Sequence, residues 1–381
     1  MSEGAKIAVI GTGHIGHYMR MCYEPIAGNN LKDNVVLVKA TKNGLTDLIK
    51  EFDCRIVVGN TLFALREIGA EVILVCTPPS QIPVVIDEAL VPYCRERKAL
   101  GAERPDIYTF GPTPAVDYFT ERLTDTANVV KILPNMFYKT KGVFSAFLET
   151  SLVTFSDKYP WPEKNKERLD KFLKPLVNYH VLSENDSVAV LGVKNAAHCL
   201  YDMCLLISDV LEENGNPGEH HQEASSVMRA ALREQWNDMP EALIPFDRHA
   251  LPSPADDFAA NAVISWVNGL SDYFDHAGYT PVCAEIVRRF RVEAYLVTIG
   301  MSSREEVLAN TKSHSTKGGL CERSGIFFRE NCEQRMLEEF RKCCSGEDVS
   351  NDYWKQLRKL GEEAAETIVE HGKHLADRKV N

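Results

Sequence analysis

The first clear pattern is a short apolar run, Ile7-Ala8-Val9-Ile10, that stops at a glycine and gives way to His17 to Cys22, which read as helix. Pro25 and Gly28 are expected to end that helix, and Asn34 to Lys39 follows as a second buried strand. The alternation continues with a helix around Leu45 to Phe52, strands at Arg55 to Val58 and Glu71 to Cys76, a helix around Val84 to Cys94, and strands at Asp106 to Phe110 and Val129 to Leu133. Strands alternating with helices at these intervals predict an α/β fold with a parallel, doubly wound sheet. A ligand of such a sheet lies beyond the carboxyl ends of its strands. Gly11, Thr41, Asn60, Thr77 and Gly111 each follow a strand, so all are expected to border one crevice.

The turn after the first strand reads Gly11-Thr12-Gly13-His14-Ile15-Gly16. Gly-x-Gly-x-x-Gly between a strand and a helix, at the start of a βαβ pattern, is the dinucleotide-binding fingerprint of a Rossmann-like domain. Gly11 permits the tight turn, Gly13 lets backbone approach a pyrophosphate, and Gly16 lets the helix pack on its strand. The amides at that helix start suit the phosphates. An NAD site commonly carries an acid after the second strand for the ribose hydroxyl, but here the run is Val38-Lys39-Ala40-Thr41-Lys42-Asn43. Cations and a hydroxyl favour a 2′-phosphate, so NADP is expected ahead of NAD, with Thr41 and Lys42 as its contacts.

Past the strands the pattern turns helical. Helices are expected at Glu219 to Trp236, Phe258 to Phe274 and Val282 to Ile299, with a proline-rich link through Pro240, Pro245, Pro252 and Pro254. From Asp352 to Asp377, Trp354, Leu357, Leu360, Ala364, Ile368 and Leu375 share one face, an amphipathic helix expected to pack on its own domain or a partner subunit. The division expected is a Rossmann-like domain over residues 1–155 and an all-α dimerisation and substrate domain over 156–381, with added helices inserted at about 217–310.

Composition narrows the classes. With 381 residues, 44% hydrophobic and 25% charged, the chain suits a two-domain globular protein. A formal charge of -11 argues against a nucleic-acid partner. No apolar run approaches a membrane span, and a strand beginning at Lys6 leaves no room for a targeting peptide, so a cytoplasmic protein without a membrane partner is expected. The eleven cysteines form no Cys-x-x-Cys pair and read as reduced thiols. No Gly-x-Ser-x-Gly elbow is present, and His220-His221 has no third ligand at suitable spacing, so no metal site is expected.

The order and spacing of the fingerprint turn, the Asn60 turn, the Thr77-Pro78 strand end and Ile132-Leu133-Pro134-Asn135-Met136 resemble those of pyrroline-5-carboxylate reductases, whose corresponding strand ends in Met-Pro-Asn. Asp186 to Val210 resembles the long first helix of that family's dimerisation domain and its entry. Ser315-Thr316-Lys317-Gly318-Gly319-Leu320-Cys321 is similar to the Ser-Pro-Gly-Gly-Thr-Thr loop that closes the family's substrate site. The resemblance covers most of Lys6 to Asn216 and Thr311 to Cys344. It implies a homo-oligomeric enzyme that reduces the C=N bond of a small carboxylated substrate, with Cys76, Thr77, Pro78, Gly111 and Asn135 on the cofactor side.

Two segments depart from that family. Where it carries Ser-Gly-Ser-Gly-Pro-Ala-Tyr, this chain has Leu191-Gly192-Val193-Lys194-Asn195-Ala196-Ala197-His198. Lys194 and His198 stand one helical turn apart, which looks more like β-hydroxyacid dehydrogenases, where a lysine at this place moves the hydroxyl proton. Leu320-Cys321 replaces two hydroxyl residues that hold the pyrroline carboxylate, and a thiol is a poor donor. Because the nicotinamide carries the hydride, the protein must orient the acceptor, move a proton and grip a charged handle. Lys194, His198 and Cys321 are the catalytic candidates, and Asn195, Thr316, Gly318 and Gly319 the substrate contacts, the glycine loop offering amides to a carboxylate. The alternatives are a β-hydroxyacid dehydrogenase and a non-catalytic NADP-binding sensor or scaffold.

Overall fold

Six apolar runs form the parallel part of one sheet: β1 (Ile7–Ile10), β2 (Val35–Lys39), β3 (Arg55–Val58), β4 (Val72–Val75), β5 (Asp106–Thr109) and β6 (Asn128–Leu133). Two more strands, β7 (Ser151–Phe155) and β8 (Tyr179–Val181), complete the order β3-β2-β1-β4-β5-β6-β7-β8. β7 runs antiparallel to β6, and β8 parallel to β7. Ile7 pairs with Val35 on one side and Val72 on the other, so the chain leaves β1 towards β2 and β3 and returns across it at β4. That reversal is the switch point where a doubly wound sheet opens a crevice.

This computed structural model describes residues 4–134, 151–156, 158–176, 179–196, 199–214, 220–233, 253–289, 304–314 and 317–377. Helices α1 (His14–Tyr18), α2 (Arg20–Ala27), α3 (Leu31–Asn34), α4 (Leu45–Glu51), α5 (Thr61–Ile68), α6 (Ile82–Val85), α7 (Val91–Ala99), α8 (Val116–Leu123) and α9 (Glu163–Leu173) accompany the strands. Alternate strand residues Ala8, Ile10, Val36, Val38, Ile73 and Val75 pack in one buried cluster with Leu65 of α5, Ile82 of α6 and Phe119 of α8. Tyr108, from the opposite phase of β5, stacks on Trp161 at 6.2 Å and meets Phe172 of α9 edge-on at 4.8 Å. Pro25 does not end the first helix. It lies inside α2, and Gly28 at φ +73° takes the C-cap.

The first of two compact units extends to Ser187, past the boundary expected near 155. The reason is packing: Trp161 Nε1 donates to the Val129 carbonyl at 3.2 Å, α9 covers the sheet, and β7 and β8 extend it. Every described element from Val188 on is helical, from the end of α10 (Glu184–Ala196) through α11 (Cys199–Glu213), α12 (His220–Leu232), α13 (Pro254–His276), α14 (Pro281–Arg288), α15 (Arg304–His314), α16 (Leu320–Phe328), α17 (Gln334–Cys344) and α18 (Asn351–Asp377). Pro254 is the first residue of α13, behind a capping box between Ser253 and Asp256. This helix is not peripheral: it buries Phe258, Trp266 and Phe274 and packs on α12, α14, α17 and α18. At its crossing with α18 a Cβ on Gly269 would stand 1.9 Å from the Arg358 carbonyl oxygen, and one on Gly361 2.6 Å from that of Trp266. Leu357, Ala364 and Ile368 on the apolar face of α18 are buried. One stretch, Glu184–Glu213, is long and apolar enough by composition to cross a membrane, contrary to the expectation that none approaches this. The apolar window that qualifies it is 71% buried, as in a core helix.

At the amino ends of β5 and β6, Asp106 accepts from Asn128 at 2.9 Å and from Asn165 at 2.7 Å, with Arg168 Nε at 3.5 Å. Burial pushes its carboxyl up to about 6 in spite of Arg168. Since that lies above the unfolded value of about 3.9, the group's contribution to stability is full below about pH 4 and is lost as pH rises through 6. Asp106→Asn removes the titration. Urea unfolding of the variant across this window is expected to lose a slope of up to about 1.4 kcal/mol per pH unit. An unchanged slope would contradict it.

Candidate functional site

The turn that closes β1 is shaped by contacts between backbone groups. Gly11 has φ +97°, which a side chain disfavours, and its amide donates to the Val38 carbonyl at 2.9 Å. A Cβ on Gly11 would stand 2.7 Å from the Cys76 carbonyl oxygen, and a Cβ on Gly16 2.3 Å from that of Gly11. The fold itself requires both. Gly13 differs: its φ of -79° is ordinary, and a Cβ there would meet nothing within 4 Å. Neither strain nor crowding explains this glycine, whereas close approach of a phosphate does. Gly13 is also the N-cap of α1 and has no side chain to take the amides of the first turn, where Thr12, His14 and Ile15 complete the fingerprint. α1 has five residues before Met19 interrupts it, so the turn offers amide groups more than a long helix dipole.

Hydrogen bonds tie the neighbouring strand ends to one another. Gly59 donates to the Lys39 carbonyl at 2.9 Å and Cys76 to that of Ile10 at 2.8 Å. Beyond β2, Thr41 and Lys42 are exposed, with Lys39 half-buried behind them. Beyond β3, Asn60 caps α5 by accepting from the Phe63 amide at 3.0 Å, so its carbonyl oxygen serves the fold. Beyond β4, burial pushes the Cys76 thiol up and keeps it protonated. The Thr77 hydroxyl is buried with no hydrogen-bond partner among the described residues, and exposed Pro78 follows. Beyond β5, Gly111 lies against that same segment: a Cβ on it would stand 3.6 Å from the Ile82 side chain and 3.9 Å from that of Pro79. The open space at Gly13 and the orphaned Thr77 hydroxyl fit a dinucleotide at this edge. Asn135 lies outside the described residues.

The substrate-side candidates belong to the second unit. Lys194 is half-buried on α10, and Asn195 is on the same helix with its side chain outside the described residues, as are His198 and Thr316. Gly318 adopts φ +73° and Gly319 caps α16. The loop does not present an open amide at Gly318, because Glu322 from the first turn of α16 already accepts from it at 2.6 Å; His371 Nε2 meets the Gly318 carbonyl at 2.9 Å. Cys321 is half-buried and burial pushes its thiol up to about 11, so the thiolate is not available near neutral pH. Among the described residues no cluster of His, Cys, Asp and Glu could hold a metal ion. Glu322, four residues past Gly318, and Lys131, a charge inside an apolar strand, were the sequence signals for two contacts not anticipated.

No family model and no curated protein matches the chain. Similar solved structures include the pyrroline carboxylate reductase of Plasmodium falciparum with NADP bound, 11% identical over 95% of this chain and 99% of that one, TM-score 0.35. The pyrroline-5-carboxylate reductase of Coxiella burnetii is 13% identical over 98% and 99%, TM-score 0.40, and that of Streptococcus pyogenes 12% identical over 77% and 99%, TM-score 0.45. Likeness this distant decides neither activity nor substrate. The Rossmann-like fold class follows from the strand order and register.

The glycines separate fold from binding. Gly16→Ala is expected to lower stability by about 1–3 kcal/mol. Gly13→Ala should leave it within about 0.5 kcal/mol while weakening NADPH binding at least about tenfold. Thermal unfolding and fluorescence titration check the pair, and a Gly13→Ala protein with full affinity would refute the reading.

Proposed function

We propose that the chain is an NAD(P)H-dependent oxidoreductase, a divergent relative of the pyrroline-5-carboxylate reductases, that reduces the C=N bond of a small cyclic imine carboxylate. The observation that carries the cofactor part of this reading is Gly13, a glycine that the fold does not need, at the mouth of the crevice between β1 and β4. The amides from Gly11 to Gly16 would hold the pyrophosphate, Thr41 and Lys42 the 2′-phosphate of NADP, and Thr77 and Pro78 would run beside the dinucleotide. The nicotinamide, when bound, supplies the hydride. Lys194 is the group assigned to the proton, because an ammonium both holds one and can release it to the nitrogen of a reduced imine.

The test is NADPH consumption by the full chain over cyclic imines and 2-keto acids. Turnover with an imine and a loss of about a hundredfold or more in Lys194→Ala, with NADPH affinity kept, supports the reading. Turnover with keto acids alone moves it to the β-hydroxyacid dehydrogenases, and no turnover with any of them leaves a cofactor-binding protein.

A substrate carboxylate at the glycine turn would have to displace Glu322 from the Gly318 amide. Glu322→Gln is therefore expected to lower KM for a carboxylated imine about tenfold relative to its uncharged analogue. An equal change in both KM values would place the carboxylate elsewhere.

A further inference from the structure

Lys131 sits in the middle of β6 between Val130 and Ile132, and its side chain is 0% exposed. An ammonium in such a place is costly unless it is paired, and an aliphatic residue would pack there without that cost. Its partners show what the charge is for. Lys131 Nζ donates to the Pro112 carbonyl at 2.9 Å and to Glu184 Oε1 at the start of α10. The other oxygen of Glu184 accepts from the Val116 amide at 3.0 Å. Val116 is the first residue of α8, so its amide has no partner within the helix, and Glu184 caps that helix from 68 residues away. The turn between β5 and α8 is thereby held at both ends, at the Pro112 carbonyl and at the Val116 amide. Gly111, the residue before it, packs on Pro79 and Ile82 just beyond Thr77.

We infer that Lys131 and Glu184 are positioning residues that fix the turn at residues 111–116 against the crevice side of the sheet. The effect on cofactor affinity rests on the function proposed above; the effect on the turn does not. A pair kept for stability alone could be exchanged for apolar residues of similar volume with no loss, often with a gain. Such residues cannot bond the Pro112 carbonyl or the Val116 amide. Burial lowers the Lys131 ammonium while Glu184 opposes that shift.

The experiment compares Lys131→Met, Glu184→Leu, Glu184→Gln and the Lys131→Met, Glu184→Leu double variant in the full chain. It reads thermal unfolding, NADPH affinity and amide hydrogen exchange over residues 111–118. Each apolar single variant is expected to lower Tm, and the double variant to recover it. The recovered protein should still exchange at least about tenfold faster across the turn and bind NADPH about tenfold more weakly. Glu184→Gln, whose amide oxygen can still accept from Val116, should stay within about twofold in affinity. A double variant with wild-type Tm, exchange and affinity overturns the inference. If it does not recover, the single variants decide by exchange: a faster turn in Glu184→Leu than in Glu184→Gln upholds the role, and equal rates overturn it. A loosened turn in a protein that binds no NADPH even as wild type would uphold the positioning role and remove the cofactor reading.

Discussion

The contact on which the first unit depends is backbone against backbone at the end of β1. The α-carbon of Gly11 lies against the Cys76 carbonyl, and that of Gly16 against the carbonyl of Gly11. A methyl group at either place would stand closer than van der Waals packing permits, so the spacing of β1, β4 and the first helical turn is set by the absence of side chains. A methyl group on Gly13, between them, would meet nothing within 4 Å. That asymmetry gives the fingerprint a physical meaning here: two glycines explain the fold and one is left for a ligand.

Much of this was legible in the chain. Strands buried on both faces read as continuous β-branched and aliphatic runs, as β1, β2 and β4 do. β7 and β8 were harder to see. Ser151-Leu152-Val153-Thr154-Phe155 mixes hydroxyls into its run, and β8 is a three-residue edge strand with Tyr179 and Val181 exposed, so its place depends on pairing with β7. The boundary moved from 155 to 187 for the same reason, since Trp161 and Phe172 declare themselves only against Tyr108. In the second unit the helical periods were plain, but the central place of α13 was not. Gly269 and Gly361 act through a partner far away in sequence, which periodicity does not register.

The candidate site divides along the same line. Local geometry, such as the glycine turn and the strand-end cations, could be read from neighbouring residues. Contacts between distant segments could not. Asn60 is engaged as a helix cap, Glu322 occupies the Gly318 amide, and Lys131 reaches 53 residues along the chain to Glu184. Each of these polar groups is bound to backbone or to an opposite charge, and for Lys131, which is withdrawn from water, such a partner is required. Lys131, a charge inside an apolar strand, thus marks where a loop is held.

A crystal structure of the full chain grown with NADP tests the central claim most directly. The account predicts the pyrophosphate on the amides of the turn from Gly11 to Gly16, with its closest approach at the Gly13 α-carbon, and the 2′-phosphate beside Thr41 and Lys42. A nucleotide bound anywhere else, or a turn left vacant at saturating NADP, would contradict it.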